Sequence, residues 1–67
     1  MNPARLAREL SDLAKHARSA AKGMHARGDA NGGTYNDGRE AAFEWLAYQI
    51  GDPESHLMRK LGEEAKP

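Results

Sequence analysis

The sequence predicts an all-α protein, a helical hairpin completed by a short third helix. Three observations carry that prediction. Leu6, Leu10, Leu13, Ala17, Ala20 and Met24 recur at alternating intervals of four and three, which places them along one seam of a helix turning about 100° per residue. The stretch 28–36 has no apolar period and is dense in residues that tolerate positive φ, so it reads as a Gly-rich turn. Signals for helix starts and stops then recur twice more, at Asn36-Asp37 and at Asp52-Pro53.

Helix one is predicted over 3–27, with Asn2 as N-cap and Pro3 at the first helical position, where its missing N–H costs nothing. Alanine supplies much of its length, and Arg5 with Glu9 and Arg8 with Asp12 stand at i, i+4 spacing on the polar side. Gly23 is its weak point. Helix two is predicted over 37–50. Asp37 and Glu40 match a capping box, and Gly51 serves as a left-handed terminator. Helix three is predicted over 53–61, with Asp52 as N-cap, Pro53 in the first turn, Arg59 and Lys60 at the C-terminal end and Gly62 as the stop. Residues 1–62 then form one small helical domain and 63–67 a loose tail.

At 67 residues the chain is near the size at which a single core only just outweighs chain entropy. It has no cysteine, so helix packing or oligomerisation must stabilise it without disulfides or thiolate zinc sites. No apolar run approaches the ~18 residues of a membrane span and no signal pattern opens the chain, so a cytoplasmic location is expected. The formal net charge is zero but divided. Residues 1–28 hold six Lys/Arg against two Asp/Glu, and residues 29–67 hold four against eight, so antiparallel packing would set opposite charges side by side.

Helix two is apolar over more than half of its circumference. Phe43, Leu46, Ala47 and Ile50 fall on one side, and Ala41, Trp45 and Tyr48 on another. Such a helix is usually covered on most sides. In one arrangement helix one covers the Leu46/Ile50 side, helix three the Trp45/Tyr48 side, and the monomer is complete. In the other, helix one, about 37 Å long, outruns helix two, and Leu6, Leu10, Leu13, Ala17, Ala20 and Met24 pair with a second copy.

Candidate chemistry is sparse. Asp29, Asn31, Asp37 and Glu40 fall on positions one, three, nine and twelve of a calcium loop, but Gly33 and Thr34 occupy positions five and six, so a ligand and the turn glycine are both missing. His16 and Asp12 share a helical face without a third ligand, and His25 and His56 read as surface residues. No nucleophile elbow, phosphate loop or dinucleotide fingerprint occurs. No enzyme activity, cofactor or metal is expected. Arg8, Lys15, Arg18 and Lys22 form a basic stripe, which supports an alternative reading as a small dimeric DNA-binding or regulatory protein. The acids after residue 28 weigh against it. Trp45 and Tyr48, with Glu40 and Glu44 in an acidic surface that includes Asp52 and Glu54, are the candidate residues for binding a protein partner.

The segment Tyr35-Asn36-Asp37-Gly38-Arg39-Glu40-Ala41-Ala42-Phe43-Glu44-Trp45-Leu46 resembles the short helices of small α-helical accessory proteins of bacteriophages and other mobile elements. The Ala/Arg/Gly/Asp-rich usage is similar to that of high-GC bacterial or actinophage chains. The resemblance implies stoichiometric binding to a host factor, in the manner of anti-defence or host-takeover proteins. From the residues alone the expectation agrees: a non-enzymatic, homodimeric interaction module that binds and occludes a larger protein.

Overall fold

The computed structural model describes residues 2–64. Three helices follow one another, α1 (Pro3–Ala26), α2 (Ala30–Gly51) and α3 (His56–Glu64), and α1 and α2 pack side by side as an antiparallel hairpin. The start of α1 is as expected. Asn2 accepts hydrogen bonds from the backbone N–H of Ala4 at 3.0 Å and of Arg5 at 3.4 Å, and Pro3 follows it.

The turn is far shorter than the Gly-rich stretch. Gly28, at φ +81°, is the one positive-φ residue among those described. Its N–H donates to the His25 carbonyl at 3.1 Å and the N–H of Asp29 donates to the Met24 carbonyl at 2.8 Å, the paired bonds of a Schellman stop. Asp29 then caps α2, its carboxylate accepting from the Gly32 N–H at 2.9 Å. One residue thus ends one helix and begins the next.

Helix two therefore opens at Ala30 rather than at Asn36 or Asp37, and the predicted loop 28–36 is helical from residue 30 onward. The capping box at Asp37 and Glu40 is overturned with it, because both lie inside the helix. The glycines that suggested a loop serve close approach instead. A Cβ on Gly32 would sit 2.6 Å from Met24 Sδ, and one on Gly33 would overlap the His25 imidazole. Packing outweighs the ~1 kcal/mol that each glycine costs a helix interior relative to alanine. Asn36 is buried here, yet satisfied. Its amide donates to the Gly32 carbonyl at 2.9 Å and to Met24 Sδ at 3.1 Å, and its oxygen accepts from Arg39 Nη1 at 3.0 Å.

With 22 residues in α2 against 24 in α1, helix one does not outrun its neighbour, and the overhang expected to seek a second copy is absent. The centre of the contact is also rotated. Ala14, Ala17 and Ala21 are 2–3% exposed and form the buried apolar core of the described residues, whereas Leu13, on the predicted seam, is 42% exposed.

Gly51 is the last helical residue of α2 and does not adopt positive φ. The helix ends because Asp52, which precedes Pro53, is forced into extended backbone at φ −110°, ψ 110°. Asp52 then caps a turn through the Glu54 N–H at 2.9 Å. Helix three starts three residues later than expected, since Ser55 is its cap: the buried hydroxyl donates to the Gln49 carbonyl and accepts from the Met58 N–H at 3.3 Å. Gly62 does not stop it. Glu63 and Glu64, assigned to the tail, complete the helix, while Ala65–Pro67 lie outside the described residues.

The result is elongated, 51 × 19 × 16 Å, with a radius of gyration of 14.9 Å where a compact chain of this length has about 11 Å. Its accessible surface is 5108 Å², against about 4,200 Å² for a compact monomer of this mass. No helix among the described residues is long and apolar enough to cross a membrane.

Candidate interaction faces

An antiparallel pair of helices has two lateral grooves, and this hairpin fills them with opposite chemistry. On one side Arg18 Nε binds Glu40 Oε2 and Arg18 Nη2 binds Glu44 Oε1 at 3.2 Å, while His25 Nε2 meets Asp37 Oδ2 at 3.1 Å. The hydrogen bond from Arg18 to Glu40, and then the opposite charge of that carboxylate, hold the guanidinium still more firmly protonated than usual, with Glu44 adding to the effect. The division of charge along the chain is thus used inside the hairpin. Arg8, Lys15 and Lys22 lie along the same side of α1 at seven-residue intervals and carry no ion pair among the described residues.

On the opposite side, Leu6, Leu13 and Ala20 of α1 and Phe43, Leu46 and Ile50 of α2 share the other groove by the same helical geometry. All of them keep part of their surface open to solvent. At one end Met58 and Leu61 of α3 line a hollow with Pro3, Leu6 and Ile50. Nothing in the described chain covers the rest, from Leu13 and Leu46 toward the turn. Arg39 borders the groove, its guanidinium 5.9 Å from the Tyr35 ring centroid and 5.7 Å from that of Phe43. That stacking and its bond to Asn36 hold the cation against α2.

A third surface is the back of α2, directly away from α1. Thr34, Gly38, Ala41, Trp45 and Tyr48 run along it without a charged residue between them, and Trp45 and Tyr48 are 56% and 66% exposed. The arrangement in which helix three covers Trp45 and Tyr48 is not the one found, because α3 turns toward Ile50 and Leu6 instead. Tyr35, 68% exposed, is an aromatic surface residue that the sequence reading did not single out. Its place beside Arg39 at i, i+4 was the available signal.

The residues named in advance for partner binding therefore separate. Trp45 and Tyr48 are open, whereas Glu40 and Glu44 are engaged by Arg18. Among those named for self-association, Ala17 is consumed by the hairpin, Leu13 is exposed, and Leu6, Leu10, Ala20 and Met24 are half-buried. Among the cations named for nucleic acid, Arg18 is paired with the two acids. The calcium-loop window is helical from Ala30 onward, and among the described residues no group of three His, Asp or Glu side chains is placed to hold a metal.

Fold and surfaces together define an all-α helical hairpin with one charged and one apolar groove. No protein-family model, no curated protein and no solved structure matches the chain.

Proposed function

We propose that this chain is a non-enzymatic protein–protein interaction module, working as a small cytoplasmic homodimer that binds and occludes a larger protein. The observation that carries the reading is the apolar surface left open on a chain this small, with Trp45 and Tyr48 standing out from α2 at 56% and 66% exposure. Exposed aromatic anchors of this kind dominate binding hot spots because they bury much area at little entropic cost. Stoichiometric binding to a host factor, the mode of the phage and mobile-element accessory proteins that the segment 35–46 resembles, fits such a surface.

The test is retention of a partner by the immobilised chain from a lysate of a high-GC bacterium, compared with Trp45→Ala and Tyr48→Ala variants of unchanged helicity. One protein held at a fixed ratio by the wild type and released by both variants is the expected result. Equal retention by all three chains overturns the role given to the aromatic face. A salt-sensitive shift of generic duplex DNA, abolished by Lys15→Ala and Lys22→Ala together, would replace this reading with the nucleic-acid one.

A further inference from the structure

We propose that a second copy of this chain occupies the apolar groove formed by Leu6, Leu13, Ala20, Phe43 and Leu46, joining two hairpins into an antiparallel four-helix bundle. The inference deepens the homodimer part of the proposed function and rests on it. Area is the first argument. The chain exposes about 900 Å² more than a compact monomer of its mass, and a standard stable interface takes about 800 Å² from each partner. The surplus matches one such interface.

The core is the second argument. Three alanines are the apolar residues fully buried among those described, and no large side chain joins them. Alanine buries little area, so the hairpin alone gains little of the roughly 25 cal/mol per Å² that must offset chain entropy. Covering the groove would bring Leu13, Phe43 and Leu46 into a common core, which is how paired hairpins become stable bundles.

The pattern along α1 indicates a copy of this chain rather than an unrelated partner. Leu6 and Ala20 lie seven residues to either side of Leu13, two helical turns in each direction. About a two-fold axis near Leu13, the antiparallel α1 of the second copy sets Leu13 against Leu13, and each large Leu6 against the small Ala20 of the other chain. Such a patch is self-complementary, as an isologous interface requires. Arg39 lies over Phe43 on this side, held by Asn36 and two rings, and Arg5 and Glu9, paired with each other, flank Leu6 at one end, so the charges that border the contact already have partners. The opposite groove is already spanned by the Arg18 and His25 pairs.

The first experiment is light scattering on the full-length chain across a dilution series, with helicity followed in parallel. Twice the 7.3 kDa chain mass, with helicity falling as the dimer dissociates, is expected. Leu13→Glu should raise the dissociation constant about 100-fold or more, since it sets two carboxylates against each other in an apolar contact. Trp45→Glu should leave the dimer intact. A wild-type monomer of full helicity, or a Leu13→Glu chain that dimerises as well as the wild type, overturns the proposal. Because the chain has no cysteine, Leu13→Cys under mild oxidation reads the geometry directly. A cross-linked dimer at Leu13 and none at Ser19→Cys supports the antiparallel pairing, and the reverse overturns it. These readouts are independent of partner capture. A dimer that retains no partner sinks the occlusion reading and leaves this inference standing, whereas a partner held by a strict monomer sinks this inference, and the homodimer with it, and leaves occlusion standing.

Discussion

The two grooves of the hairpin run between the same two helices, yet one is spanned by charged pairs and the other is left open to solvent at Leu13. On the charged side, Arg18 reaches across to Glu40 and Glu44 and His25 to Asp37, so polar side chains span the gap, with Glu40 largely covered and the heads of the others open to water. On the apolar side, Leu13, Phe43 and Leu46 have nothing to reach. The difference teaches which side is finished: charges already paired across the helices need no further cover, whereas an exposed Leu13 beside partly covered Phe43 and Leu46 gains from it.

That contrast can be broken most sharply from the apolar side. Phe43→Ala removes the largest side chain of the open groove together with the ring under Arg39. A loss of about 2 kcal/mol is expected, near the low end for large-to-small changes because the ring is only half-buried. Urea titration at fixed protein concentration measures it. Gly33→Val should follow closely, at about 1–2 kcal/mol. A branched side chain there displaces the His25 ring from its place against the glycine and from Asp37, and the loss should appear in the His25 imidazole NMR signals as well as in the melting temperature.

Smaller effects sharpen the comparison. Gly28→Ala forces a Cβ into the left-handed region at φ +81° and should cost about 1 kcal/mol. Because the turn sets the register that brings Arg18 opposite Glu40, the same variant should also blunt the dependence of stability on salt. Glu40→Gln is expected to move the melting temperature least, and high salt should narrow the difference from wild type, because the amide oxygen can still accept from Arg18 and Glu44 remains available to it. If Glu40→Gln proves as damaging as Phe43→Ala, the charged side is the structural one and the contrast is reversed.

The outline of the fold was legible in the sequence because it depends on local signals. Asn2-Pro3 and the seam from Leu6 to Met24 name a long first helix, and the loss of apolar period after Arg27 marks a turn there, each acting within one or two turns of chain. The first seven residues of α2 were not legible. Asn31, Gly32, Gly33 and Asn36 all favour a loop by local propensity, and only the neighbouring Met24 and His25 turn them into helix. The candidate surfaces divide in the same way. Trp45 and Tyr48 could be named from the sequence, but a helix apolar all round does not reveal which side its neighbour covers.

By itself, then, the sequence determined an all-α chain, a hairpin of oppositely charged halves and a length at which a single core is marginal. Composition and period act locally and suffice for those. Only the tertiary structure decided that glycines 32 and 33 are helical, that Ala14, Ala17 and Ala21 rather than Leu13 meet α2, and that α3 leaves Trp45 and Tyr48 uncovered. For the glycines the reason is their contact with Met24 and His25. For the other two, rotating a helix about its axis changes none of its local energies, so the choice of buried face belongs to the close approach of one helix to another.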